Sequence, residues 1–159
     1  MKLYELLNPE KEYLKGKKAL IFDMDGTLID SMLFWRKPFE DFNEQIKYMY
    51  EKYNTVIEPK EHSIEFLKYL KDNGIPVAIA SDTPKKLSIG FVERYDFESY
   101  IDCYVGSDDV GVYKFRSPAI YLKAAELLGV KPEECVVFED NYTSVLSALK
   151  SGMTVVGVY

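Results

Sequence analysis

Histidine, tryptophan and cysteine are almost missing from this sequence. His62 and Trp35 are single, and Cys103 and Cys135 stand 32 positions apart. Closely spaced zinc ligands are therefore excluded, and two buried, reduced thiols are expected. Long hydrophobic runs are missing too. No strictly apolar stretch exceeds four residues, against the roughly 18 of a membrane span, and Met1-Lys2-Leu3-Tyr4-Glu5 has no apolar core of a secretion signal. A cytoplasmic protein without membrane contact is expected. Nor is there an excess of positive charge. Twenty Lys and Arg against 26 Asp and Glu give a net charge of −6, which repels phosphate backbones and makes nucleic acid an unfavourable partner. Internal repeats and low-complexity segments are absent as well.

What remains is a chain of 159 residues, 47% apolar and 29% charged, enough for one domain with its own core. Four short apolar runs, Ala19 to Phe22, Val77 to Ala80, Val136 to Phe138 and Val155 to Val158, alternate with helical patterns. Continuous rather than alternating apolar residues mark strands covered on both faces, as in a parallel α/β sheet. Thr83-Pro84 and Ser117-Pro118 look like helix starts, and Gly74, Gly129 and Gly152 like helix stops. Spacings of three and four in Ile64, Leu67, Leu70 and in Ile120, Ala124, Leu127, Leu128 predict two helices with one buried face each. The expected architecture is a Rossmann-like three-layer sandwich: a core over residues 17–30 and 59–159, a lead-in over 1–16 with Leu3, Leu6, Leu7 and Leu14 on one side, and a small helical insert over 31–58. That insert is rich in aromatics, among them Phe34, Trp35, Phe39, Phe42, Tyr50 and Tyr53. It reads either as a helix packed on the sheet or as a small lid facing a substrate mouth.

In an open parallel sheet, ligands bind beyond the carboxyl ends of the strands. The first strand ends in Asp23-Met24-Asp25-Gly26-Thr27 and the run at Val136 ends in Glu139-Asp140-Asn141. If those tips meet, carboxylates crowd one pocket. Two like charges about 4 Å apart repel by about 4 kcal/mol at an effective dielectric near 20, so three pairs would cost about 12 kcal/mol, comparable with a domain's whole stability. A positive group must sit among them. A hard divalent cation satisfies oxygen ligands directly, so a Mg²⁺ site is expected on Asp23, Asp25, Glu139 and Asp140. Ser81, at the end of the second strand and before a helix, lies where an anion is favoured. Lys114 and Arg116 supply cations from the loop before Ser117.

These residues, in this order, are similar to the haloacid dehalogenase superfamily, in particular its phosphatase and β-phosphoglucomutase-like branch. Phe22-Asp23-Met24-Asp25-Gly26-Thr27-Leu28-Ile29-Asp30-Ser31 matches the first motif, and Val136-Val137-Phe138-Glu139-Asp140-Asn141, followed by Ala148-Leu149-Lys150-Ser151-Gly152-Met153, matches the last. The resemblance implies that Asp23 is a nucleophile that becomes phosphorylated and Asp25 the general acid and base. It also implies that Ser81 and Lys114 hold the phosphoryl group and that Glu139 with Asp140 binds Mg²⁺. Thr27, Asp82 and Arg116 complete the expected phosphate contacts. The lysine loop Lys114-Phe115-Arg116-Ser117-Pro118 is one residue longer than the family pattern, which makes Arg116 an alternative to Lys114. The expected activity is hydrolysis of a small phosphorylated metabolite. A sugar phosphomutase, a phospho-acceptor signalling module and an inactive binding protein are the alternatives. The last strand, set near a sheet edge, suggests a homodimer.

Overall fold

The computed structural model describes residues 15–158. Tyr159 and residues 1–14, with the leucines of the lead-in, lie outside the described residues. Five parallel strands form one sheet: β1 (Ala19–Phe22), β2 (Val77–Ser81), β3 (Cys103–Gly106), β4 (Cys135–Glu139) and β5 (Thr154–Gly157), in the order β3-β2-β1-β4-β5. Around them lie α1 (Met32–Trp35), α2 (Phe42–Thr55), α3 (Ser63–Asp72), α4 (Lys85–Arg94), α5 (Ser107–Val110), α6 (Ala119–Leu128) and α7 (Tyr142–Lys150). The Rossmann-like sandwich expected from the apolar runs is the fold observed. The strand β3 was not anticipated. Its apolar run is three residues long, and Cys103 and Tyr104 are only partly buried at the sheet edge.

Side chains alternate across the sheet as a strand requires. Leu20, Phe22, Val77, Ile79 and Val136 enter one core with Leu67 of α3, Phe91 of α4 and Tyr53 of α2. Ala19, Ile21, Ala78, Ala80 and Val137 enter the other with Ile120, Tyr121 and Ala124 of α6 and Ala148 of α7. The helix at Ile120 departs from expectation at Leu127, which is 53% exposed. Both proline-marked helices begin one residue later than expected, at Lys85 and Ala119. The Ser117 hydroxyl still accepts from Ala119 N–H at 3.2 Å. The Thr83 hydroxyl is drawn away to Asp25 instead. Both cysteines are free, with Cys135 buried and Cys103 only partly so.

The insert leaves and re-enters the core at one place: Asp30 N–H donates to Glu58 O at 2.9 Å and Lys60 N–H to Leu28 O at 2.8 Å. Its main helix, α2, starts on Asp41, whose carboxylate accepts from Asn43 N–H at 2.7 Å and Glu44 N–H at 3.2 Å. One face of α2 buries Met49 and Tyr53, while Phe42 and Tyr50 on another face remain largely exposed at the mouth of a cleft. No helix among the described residues is long and apolar enough to cross a membrane.

Candidate active site

The chain runs from β1 outward to β3 and then returns to the other side of β1 as β4, so the strand order reverses between β1 and β4. A crevice opens at such a point, beyond the carboxyl ends of the strands. Register fixes what meets there. Phe22 pairs with Phe138, their rings stack at 4.8 Å, and Asp23 N–H donates to Phe138 O at 2.9 Å. Asp23 is thereby set beside Glu139. A cleft of about 1130 Å³ begins at Asp23, Asp25, Glu139 and Asp140, takes in Ser81, Asp82 and Lys114, and continues along Trp35, Phe42 and Tyr50 of the insert.

Lys114 is the positive group among the acids. Its buried ammonium pairs with Asp23 Oδ1 and, at 2.8 Å, with Glu139 Oε2. Burial alone would lower the Lys114 pKa, but Asp23 and Glu139 outweigh it and hold the side chain well above the ordinary lysine range. Burial raises the Asp23 carboxyl, and Lys114 is the main group opposing that rise. Asp23 thus depends on the ammonium to ionise. Tyr121 OH donates to Glu139 Oε2 at 2.8 Å and Asn141 N–H donates to Oε1 at 3.1 Å, which fixes the glutamate. Asp140 is raised mainly by its burial and secondarily by Glu139.

Three carboxyl groups thus stand around one ammonium. Asp23, Glu139 and Asp140 each offer an oxygen within 4.8 Å of the others, and Asp23 Oδ2 is buried with no partner. An all-oxygen donor set around an orphaned carboxylate oxygen fits a hard divalent ion such as Mg²⁺. The Asp25 carboxyl falls outside this group, contrary to the four-carboxylate expectation. Its Oδ1 accepts from Ser31 Oγ at 2.6 Å, from Trp35 Nε1 at 3.3 Å and from Tyr53 OH, and its Oδ2 accepts from Thr83 Oγ1 at 2.7 Å. Ser81 Oγ stands 3.5 Å from the same Oδ2.

The remaining expected phosphate contacts divide. Ser81, Asp82 and Lys114 line the cleft; Thr27 and Arg116 do not. Thr27 Oγ1 is buried without a partner, and the Arg116 guanidinium lies over the Phe115 ring at 5.3 Å. Asp82 acts on the lysine loop rather than facing outward: its Oδ1 accepts from Lys114 N–H at 2.9 Å, and its backbone carbonyl accepts from Ser107 Oγ at 2.7 Å. Burial raises the Asp82 carboxyl, with the Lys114 N–H opposing. Sequence reasoning missed Thr83, Tyr121 and the partner roles of Ser31, Trp35 and Tyr53. It also passed over Gly26, at φ 89°, where a Cβ would stand 2.2 Å from Asp140 Oδ2. A side chain at that backbone angle would be strained and would crowd the Asp140 carboxyl.

The sequence profile of the haloacid dehalogenase-like hydrolases matches residues 34–152. A haloacid dehalogenase-like hydrolase domain-containing protein of Arabidopsis thaliana is 33% identical over 140 residues, covering 86% of this chain but only 42% of its own length. A phosphorylated carbohydrates phosphatase of Thermotoga maritima is 29% identical, covering 86% of this chain and 82% of its own. That second alignment runs over 178 positions, more than the 159 residues here, so the relative carries segments this chain lacks. Among solved structures, a Thermotoga maritima protein described as a candidate beta-phosphoglucomutase superposes with a TM-score of 0.74 at 29% identity, covering 89% of this chain and 85% of its own. The profile match, the shared sheet and the acidic crevice at the strand-order reversal agree, and the chain belongs to the haloacid dehalogenase-like hydrolase family of enzymes.

Proposed function

We propose that this protein is a Mg²⁺-dependent phosphomonoester hydrolase that acts on a small phosphorylated metabolite through an aspartyl phosphate on Asp23. The observation that carries the reading is the state of Asp23 itself: one oxygen paired to a buried lysine, the other buried and unpartnered, at the head of a cleft. A carboxylate attacking a phosphate dianion needs its charge opposed and its line of approach held. In this reading Lys114 neutralises phosphoryl oxygens and Ser81 donates to them. Asp25 protonates the leaving oxygen, then takes a proton from the water that hydrolyses the phosphoenzyme. Mg²⁺, held by Asp23, Glu139 and Asp140, would spread the charge of the transferring phosphoryl group.

The second reading, a phosphomutase, is favoured by the resemblance to the Thermotoga maritima structure. Hydrolysis is preferred because the insert is two helices whose aromatic face stays open, with Phe42 65% and Tyr50 50% exposed; water reaching the phosphoenzyme competes with return of the phosphoryl group to a sugar. A cytoplasmic location accords with the two free thiols. The test is a phosphomonoester panel with and without Mg²⁺, run beside Asp23→Asn. Phosphate release that needs both Mg²⁺ and Asp23 is expected. Turnover only in the presence of a bisphosphorylated sugar would establish the mutase, and no release from any ester would establish a binding protein.

A further inference from the structure

Tyr53 is a fully buried phenol whose hydroxyl lies on Asp25, 28 positions away in sequence and on a different element. Trp35 donates its indole N–H to Tyr53 OH at 3.0 Å and to Asp25 Oδ1 at 3.3 Å. We propose that Trp35 and Tyr53 are a positioning pair, supplied by the insert, that fills Oδ1 of Asp25 and leaves Oδ2 as the oxygen that exchanges the catalytic proton. The proposal rests on the acid and base role given to Asp25 above.

An indole N–H only donates, whereas a phenol both donates and accepts. Trp35 therefore takes the accepting side of Tyr53 OH and directs its single proton to Asp25 Oδ1. With Ser31 Oγ also donating there at 2.6 Å, Oδ1 receives three donors, and the indole cannot turn round to accept. Oδ2 meets only hydroxyls, Thr83 Oγ1 at 2.7 Å and Ser81 Oγ at 3.5 Å, and either can rotate to accept. A proton on Oδ2 meets hydroxyls that can turn to accept it, whereas on Oδ1 it competes with two donors that cannot turn, the indole because it only donates and the phenol because the indole fills its accepting side. In the first half-reaction the Oδ2 proton passes to the leaving oxygen as its bond to phosphorus breaks and the bond from Asp23 to phosphorus forms. In the second, water attacks that phosphorus, its proton goes to Oδ2, and the bond from Asp23 to phosphorus breaks.

The experiment compares kcat/KM for phenyl phosphate and para-nitrophenyl phosphate in Mg²⁺. The two esters are similar in shape, but phenoxide is the more basic leaving group and needs the proton more. Tyr53→Phe keeps the buried ring and removes only the hydroxyl. It is expected to lower kcat/KM for phenyl phosphate about tenfold more than for the nitrophenyl ester, a part of the range general acid catalysis supplies. Trp35→Phe shifts the ratio the same way by less. Met49→Leu, another buried side chain of α2, changes packing alone and leaves the ratio at the wild-type value. Because Trp35 is the only tryptophan, a shift of its fluorescence emission in Tyr53→Phe reports loss of the indole's partner. Equal losses on both esters in Tyr53→Phe would overturn the positioning role and leave the hydrolase intact. A wild-type protein inactive on both esters contradicts the hydrolase reading, and the positioning role with it.

Discussion

Lys114 carries two burdens in one side chain: it balances Asp23 and Glu139 in the folded protein, and it is the cation paired to the proposed nucleophile, Asp23. Removing one member of a buried pair leaves uncompensated charge, so Lys114→Met is expected to destabilise the fold by about 3–5 kcal/mol. Phosphate release should fall at least about a hundredfold, the scale of losing one preorganised charge-stabilising donor. Arg116, turned onto Phe115 and outside the cleft, has neither task. Arg116→Met should keep activity within about twofold of wild type. Steady-state assays above each variant's folding threshold check this, and a larger loss in Arg116→Met than in Lys114→Met would move the phosphate contact to the arginine. Asp82 shows why residue type alone misleads. Expected as a phosphate contact, it instead accepts the Lys114 N–H with its carboxylate.

Between elements, α2 packs tightly on α4. A Cβ on Gly90 would stand 2.0 Å from Asn54 Oδ1 and 2.9 Å from Asn54 Cα. The side-chain oxygen has room to swing away, but the backbone must shift. Gly90→Ala is expected to cost about 1–3 kcal/mol, the usual range for overpacking, and to displace the helix that carries Tyr53. A lowered melting temperature together with a changed Trp35 emission checks both effects; unchanged stability would mean α2 is free to move. The same pair of helices marks how far the sequence could be read. The tips of β1 and β4 were legible because their chemistry sits in short runs, Asp23 to Thr27 and Glu139 to Asn141, and strand register then sets them side by side. The helix at Ile64 and the strand at Val77 were legible from periodicity and from a continuous apolar run. Tyr53 was not, because a helix pattern tells which residues share a face, and not that one hydroxyl on that face lands on a carboxylate 28 residues earlier. The missed strand β3 offered only three apolar residues, too few to separate it from a loop.

At the scale of the whole molecule, the proposed Mg²⁺ site predicts that the metal stabilises the fold. Mg²⁺ binding only the folded state adds about 2.7 kcal/mol at a hundred times its Kd, which for a chain of this size raises the melting temperature by about 5–10 °C. Thermal unfolding with Mg²⁺ and with chelator measures this, and Asp140→Asn should lose most of the rise; no rise in wild type would contradict the site. Among the described residues β5 is an outer strand of the sheet, only partly buried along its length, and edge strands invite pairing with another chain. We propose a homodimer joined along β5, and light scattering that gives the monomer mass throughout the micromolar range would contradict it. The proposed reaction runs through a covalent bond at one carboxylate. The most direct measurement is the mass of peptides from enzyme quenched in acid during turnover. One phosphoryl group on the peptide holding Asp23, absent in Asp23→Asn, is predicted; full-rate phosphate release with Asp23 never phosphorylated would contradict it.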